Sequence, residues 1–473
     1  MEPDPQNRRD FLRQAGGGFG ALALAWMLEQ EASANGGDGR LESPLAPRSS
    51  HFPAKAQRVI YLFMHGGPSH LETFDPKPEL QRLHGQPLPP SFGPVATRRK
   101  VAANPLLGTK RTFRKCGESG LEVSDLFPHT SARADDLAVI RSCWADSVNH
   151  PQAVYQMNTG SILMGKPSLG SWVGYGLGTE NQDLPAFVVL PDPAGGIKGG
   201  PPAYGSGYLP ASYQGTVMRG GSSPILDLKS ADGMTADRQR GVLDLVGRLN
   251  AHHRDARGDD HELSARINAY ELAYRMQSAA PGAVDLAGES ATTRKLYGID
   301  DPDTAEFGTR CLLARRLVER GVRFIQLYSG DVNGWDAHDD VEKNHTRMAL
   351  KTDKPVAALL ADLKARGLLE TTLVIWGGEF GRMPMSEQGR GRDHNPHGFC
   401  VWMAGAGVKG GTVHGATDSV GLRAEVDRVH VHDLHATILH LLGIDHTRLT
   451  YPNNGRDDRL TETSGTVVKS ILS

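Results

Sequence analysis

Continuous apolar runs that close on glycine or a polar turn recur along the chain: "RVIYLFMHGG" (58–67), "LPAFVVLPDP" (184–193), "GVRFIQLYSG" (321–330), "TTLVIWGGEF" (371–380) and "FCVWMAGAGV" (399–408). Short apolar runs bounded by turn formers are the pattern of strands buried on both faces. Between them, 304–320 and 344–367 carry apolar positions at helical spacing, and "HDLHATILHLLG" (432–443) closes on a glycine stop. Strand and helix alternate, which predicts a mostly parallel sheet between helices, an α/β/α sandwich. The segment 194–260 breaks the rhythm. Its "PAGGIKGGPPAYGSGYLPASY" is rich in Gly, Pro and Tyr and predicts a long surface excursion, either a lid or binding loop or a disordered insertion.

A chain of 473 residues fits one large α/β domain or two smaller ones. With 39% apolar and 22% charged residues it reads as globular, and its 56 glycines and 29 prolines argue for many loops rather than a helical bundle. The first 34 residues hold three Lys/Arg and five Asp/Glu, so 49 of each remain beyond them. That balance gives no electrostatic reason to expect nucleic acid or an anionic membrane as partner.

The N-terminus carries an address. "NRRDFLRQAGGGFGALALAWML" joins Arg8-Arg9 to Phe11-Leu12 and a Gly/Ala/Leu stretch too short to span a bilayer, and Ala32-Ser33-Ala34 offers a small-x-small cleavage site. Residues 1–34 therefore look like a twin-arginine signal peptide, with the twin-arginine translocase as partner during export and a periplasmic product. Residues 35–57 read as a linker, and 58–473 as one α/β domain carrying the 194–260 insertion. No later segment of about 20 apolar residues predicts a stable membrane anchor. Cys116, Cys143, Cys311 and Cys400 have no C-x-x-C spacing, so zinc-knuckle and dithiol redox motifs are excluded, while the compartment permits disulfides.

In an open α/β sheet, ligands bind beyond the carboxyl ends of the strands. After 58–67 stand His65, Ser69, His70 and Asp75; after 321–330 stand Asp331, Asp336 and His338; after 371–380 stand Glu379 and Arg382, then Asp393, His394 and His397 in "RDHNPHGF". Imidazoles and carboxylates converging from separate strands are ligands for zinc, manganese or iron. Each also has a plainer reading: His65 as a hydrogen-bonded strand-end histidine, Asp336 as a turn cap, Asp393 as an Asx-turn former. Glu379, set between Gly377-Gly378 and Gly381 where backbone approaches closely, favours function.

The stretches "GGPSHLETFDPKPEL", "NHPQAVYQMNTG", "WDAHDD", "GGEFGRMP", "DHNPHGF" and "HDLHATILHLLGI" resemble the bacterial, planctomycete-type family known as domain of unknown function 1501. That family is called sulfatase-like and is similar to the alkaline phosphatase superfamily. The resemblance implies an alkaline phosphatase-like fold with a metal site at the strand ends. The strand-end reading and the resemblance together give His65, Asp336, His338, Glu379, His394 and His397 as metal ligands for one or two divalent ions, zinc, manganese or iron, with calcium as a further option. His150, Arg382 and Ser69 are the catalytic candidates, and His70 and Asn149 the substrate contacts. In sulfatases a Cys or Ser opens C-x-P-S-R-x-x-x-x-T-G and becomes formylglycine. Aligned on Thr159-Gly160, His150 takes that slot here, with Gln152, Ala153 and Val154 in place of Pro, Ser and Arg. The formylglycine signature is absent.

Two functions follow as expectations. One is an exported, metal-dependent hydrolase of phosphate or sulfate esters acting on a small-molecule or carbohydrate substrate, in which His150 serves as nucleophile, general acid or further ligand. The alternative is a catalytically degenerate relative retained as an envelope or glycan-binding protein.

Overall fold

The computed structural model describes residues 43–219, 225, 233–257, 261–330 and 333–473. The signal-peptide expectation, residues 35–42 of the linker and Asp331 lie outside the described residues. The chain divides into two compact units, a small one within Lys229–Glu271 and a large one formed by Pro44–Leu228 with Leu272–Ser473.

The large unit is built on a nine-stranded sheet. In chain order its strands are β1 (Arg58–Met64), β2 (Leu137–Trp144), β3 (Phe187–Leu190), β4 (Thr216–Val217), β5 (Phe324–Ser329) and β6 (Thr372–Gly377). A two-stranded hairpin of β7 (Gly381–Glu387) and β8 (Gly391–Asn395) follows, and then β9 (Phe399–Ala404), β10 (Thr412–His414) and β11 (Val429–His430) return to the sheet. The sheet order is β10-β2-β9-β6-β1-β5-β3-β4, with β11 on β2. All neighbours pair parallel except β9, which runs antiparallel to β2 and β6. The five apolar runs are strands of this sheet, as expected. The run in β2 is broken by Arg141 and Ser142, which is why it escapes a search for continuous apolar stretches.

Nine helices matter to the argument: α1 (His70–Thr73), α2 (His150–Thr159), α3 (Leu169–Leu177), α4 (Ala236–Arg257), α5 (His261–Val284), α6 (Ala291–Tyr297), α7 (Ala305–Glu319), α8 (Val341–Ala365) and α9 (Val431–Leu441). Successive residues of β1 face opposite sides of the sheet. Ile60, Leu62 and Met64 pack with Leu312 and Leu317 of α7 and Leu359 and Leu363 of α8. Val59, Tyr61 and Phe63 pack with Val154 and Met157 of α2, Trp172 of α3 and Leu434 of α9. Helices thus cover both faces, and each fully buried aliphatic side chain contributes roughly 1.5–3 kcal/mol.

Local signals place the helix ends. The Asp340 carboxylate accepts from the Lys343 amide at 3.0 Å and caps α8, an interaction of about 1 kcal/mol. The helix α2 opens on His150-Pro151, where proline's missing N–H costs nothing, and stops at Gly160 in the left-handed conformation. The 194–260 segment divides. Residues 194–215 are short turns and 3₁₀ segments, whereas α4 is a regular helix in the small unit, where Arg240 donates to both Glu271 oxygens at 2.9 and 2.6 Å. Within α4, Leu243, Leu245 and Val246 supply the apolar positions of a helix.

Two buried histidines tie helices to neighbouring segments, one joining α9 to α2 and the other joining α8 to the loop after β1. His435 Nε2 donates to the Met157 carbonyl at 3.0 Å, and His345 Nε2 accepts from the Ser69 amide at 2.8 Å. Burial pushes both down to about 3. The unfolded chain, with imidazoles near 6.5, then takes up protons that the fold refuses. Each should leave stability level above pH 6.5 and remove about 1.4 kcal/mol per pH unit as pH falls from there toward 3. Urea midpoints measured at pH 7 and pH 5 should therefore differ clearly, and His435→Gln should reduce the difference; equal midpoints would contradict the buried neutral state.

Candidate functional site

The carboxyl ends of β1, β5 and β6 bring three loops together. Gly66, after β1, donates its amide to both Glu379 oxygens at 2.9 and 3.1 Å, fixing the carboxylate that follows β6. The loop after β5 is held to the same place by Trp335 N–H to the His65 carbonyl at 2.9 Å. Asp336 stands at the centre. Its Oδ2 meets His150 Nε2 at 3.0 Å and Lys198 Nζ at 2.9 Å; its Oδ1 meets Arg382 Nη2 at 2.8 Å, His338 Nε2 at 3.0 Å and His394 Nε2 at 3.2 Å.

Among the described residues, three overlapping sets of side chains have ligand atoms close enough to share an ion: His65, His150 and Glu379; His150, Asp336 and His394; His338, Asp393 and His394. All are buried except Asp336, which is 8% exposed on its side chain. Burial raises the Asp336 pKa, but the Arg382 guanidinium and the three imidazoles more than offset it and hold the carboxyl far below the usual carboxylate range. Glu379 is treated the same way: burial raises it, and His150 and His65 bring it below its ordinary value. Both therefore remain carboxylates at neutral pH. Burial first, with Arg382 adding to it and Asp336 opposing, takes His394 down to about 3.

The donor set suits a metal. His394 Nδ1 faces the Val148 carbonyl at 2.7 Å and His338 Nδ1 faces Glu387 Oε2 at 2.6 Å, both oxygens that only accept. The Val148 carbonyl lies nearer His394 Nδ1 than the Arg98 guanidinium, which is 3.3 Å away, so each Nδ1 carries the proton, and the two Nε2 atoms face each other at 3.0 Å beside Asp336 Oδ1. Three lone-pair atoms converge there, and a proton or a metal ion between them would relieve their repulsion. The Glu387–His338 pair is the outer carboxylate that orients a ligating imidazole. A cavity of about 460 Å³ opens above these groups, and Arg98, Arg99, Lys198, His150, Asp336 and His338 line it.

The other candidates lie around this centre. Arg382 is fully buried and commits Nε to the Gly67 carbonyl, Nη1 to the Arg392 carbonyl and Nη2 to Asp336 and the Gly66 carbonyl. It steadies the glycine turn and Asp336 and does not line the cavity. Ser69 is buried before α1 with its amide on His345, and His70 Nε2 donates to the Gly421 carbonyl at 2.8 Å, beneath the hairpin. Asn149 precedes α2 and donates to Gln152 Oε1. His397 belongs to none of the three sets. Asn395 donates to the Leu422 carbonyl, and the His397 carbonyl accepts from the Ala424 amide, so this stretch turns toward 418–424 and the half-buried ring lies near Arg423 and Arg428.

Sequence reasoning did not single out Lys198, Arg98, Arg99 or Glu387. Lys198 comes from the Gly-rich excursion, where its amide donates to His65 Nε2 at 3.1 Å and Tyr155 Oη donates to the Gly199 carbonyl at 2.8 Å. Arg99 reaches Asp393 through its amide at 2.7 Å and Glu387 through its guanidinium at 3.0 Å. A lysine among glycines in "GGIKGG" and the paired arginines of "ATRRK" are the signals available in the sequence.

Similar folds are found among solved structures, all at low identity. Ps i-CgsB in complex with a neocarrahexaose aligns at 8% identity and TM-score 0.36, covering 82% of this chain and 72% of that one. A sulfatase from Pseudoalteromonas sp. aligns at 12% and 0.34, covering 82% and 68%. The alkaline phosphatase of the Antarctic bacterium TAB5 aligns at 12% and 0.33, covering 83% and 98%. No curated protein sequence matches the chain. The sequence model of one family, described as "Protein of unknown function (DUF1501)", matches residues 56–472, nearly the whole of the large unit and the segment inserted in it, and the chain belongs to that family.

Proposed function

We propose that this protein is an exported, metal-dependent hydrolase of phosphate or sulfate esters, acting on a small-molecule or carbohydrate ester in the periplasm after passage through the twin-arginine translocase. The observation that carries the reading is the convergence of His338 Nε2, His394 Nε2 and Asp336 Oδ1 at the floor of a cavity whose wall carries three cations. One or two ions of zinc, manganese, iron or calcium would polarise the ester oxygens and supply a water activated near neutral pH. Asp336, Glu379, His65, His150, His338, Asp393 and His394 would hold them. The chain's own residues do the rest: Arg382 fixes Asp336, Glu387 orients His338, and Lys198 and Arg98 face the negative charge of the ester. The absence of the formylglycine signature fits with this, since His150, which cannot become formylglycine, opens α2 and turns both ring nitrogens toward ligand carboxylates.

Elemental analysis by inductively coupled plasma mass spectrometry, beside a screen of phosphate and sulfate esters, tests the proposal. Wild-type protein should hold one or two equivalents of a divalent metal. His394→Ala should lose metal, whereas His397→Ala, altered outside all three sets, should keep it. Wild-type protein that stays empty after metal addition would end the reading. Lys198→Met should raise KM and the inhibition constant of inorganic phosphate or sulfate by about tenfold or more, the value of a charge-assisted hydrogen bond, with a smaller effect on kcat. An unchanged KM would remove Lys198 from substrate binding.

A further inference from the structure

His150 has potential metal ligands at both ends of one ring. Nδ1 lies 2.6 Å from Glu379 Oε1, in the set completed by His65; Nε2 lies 3.0 Å from Asp336 Oδ2, in the set completed by His394. Apart from His150 itself, the two sets have no residue in common. The oxygens at both nitrogens belong to carboxylates and only accept, so a neutral imidazole with its single N–H satisfies one side and leaves the other as two facing lone pairs. The ring is buried, 4.9 Å from Phe380 and 4.3 Å from His394 between centroids, and is not free to swing toward one partner. Both sides are satisfied at once only when a cation sits at each nitrogen, a proton on each, as in the imidazolium, or a metal ion at each.

We propose that His150 bridges two metal ions, giving Nδ1 to an ion held with His65 and Glu379 and Nε2 to a second held with Asp336 and His394. On loading, the remaining ring N–H proton passes to solvent and the imidazole becomes an imidazolate shared by both ions. The consequence concerns the nucleophile. His150 stands at the start of α2, where a side chain would be placed to attack the ester, but with both nitrogens bound it has no lone pair to offer. Attack then falls to water, and no covalent histidine intermediate forms. The inference rests on the ester-hydrolase reading only in taking the site to hold metal.

Copper(II) added to metal-free protein is the probe. Two coppers per chain are expected, with most of the electron paramagnetic resonance signal missing at low temperature because the two spins couple through the ring. Glu379→Gln should bind one copper with its full signal, and His150→Ala should restore the full signal of whatever copper it retains; the first variant keeps the test informative where the second fails to fold. Two coppers with the full signal of two isolated ions, or a wild-type protein that binds only one, would overturn the bridge. The two proposals fail separately. Ester hydrolysis by a protein with uncoupled ions discards the bridge alone, and coupled ions in a protein that cleaves no phosphate or sulfate ester discard the hydrolase reading alone.

Discussion

Asp336→Asn should empty the site of metal and reduce ester hydrolysis by on the order of 10³-fold or more, the scale seen when a group acting on developing charge is removed from a buried site. The residue's two oxygens are shared by His150 and Lys198 on one side and by Arg382, His338 and His394 on the other. Asparagine keeps the shape and one acceptor oxygen, but it loses the charge and turns an NH₂ toward groups that are cations or metal ligands. The fold should suffer too. The Arg382 side chain is fully buried, and removing its only carboxylate partner among the described residues leaves a charge inside the protein that its carbonyl partners solvate only in part. Breaking a buried pair in this way costs about 3–5 kcal/mol. Metal content, hydrolysis rate and the urea midpoint of the metal-free protein measured together separate the roles. A variant that is destabilised yet keeps its metal would make Asp336 a purely structural hub.

The sheet was legible where the strands are central. The runs at 58–64, 187–190, 324–329, 372–377 and 399–404 are buried on both faces, so every residue is selected for apolarity and the signal is continuous. The direction of β9 was less plain. Parallel neighbours need a crossover, usually a helix, whereas 381–395 folds as the β7–β8 hairpin and returns the chain antiparallel to β6. The sequence hint is the missing helical pattern between 380 and 399. The two-residue strands β4 and β11 exist through pairing alone and leave no pattern to read.

The site divides by the same logic. His65 and Glu379 stand within two residues of a strand's end and Asp336 on the loop that follows β5, so a reading of strand ends finds all three. Asp393 and His394 depend on an irregularity: the β7–β8 ladder shifts register between Arg392 and His394, a bulge that lets neighbouring residues serve one centre instead of opposite faces. Without that bulge, spacing gives no reason to prefer Asp393 over His397 beside His394. Lys198, Arg98 and Arg99 lie on irregular segments held by tertiary bonds such as Tyr155 to Gly199, which no local pattern encodes.

Gly66→Ala should be among the most damaging single methyl additions available to this chain. Gly66 sits at φ +105°, and a Cβ there would lie 2.5 Å from the Asn333 carbonyl oxygen and the Asp336 nitrogen and 2.6 Å from the Trp335 nitrogen. All three are backbone atoms, so no side chain can rotate away. Strained backbone contributes about 1–3 kcal/mol and overpacking about 1–3 kcal/mol more. Relief has to come from moving the 333–336 turn, which carries Asp336, or the Gly66 peptide, whose N–H holds Glu379 and whose carbonyl accepts from Arg382. Loss of stability and loss of metal are therefore one event at this position. Gly455→Ala separates the causes, because Gly455 also has a positive φ, +76°, but its Cβ would meet nothing within 4 Å. That variant should lose only the conformational part and keep its metal in full. Equal urea midpoints for the two variants would mean that the turn after β5 yields to the added methyl, and that the close approach of the two loops is not what holds Asp336 at the centre of the site.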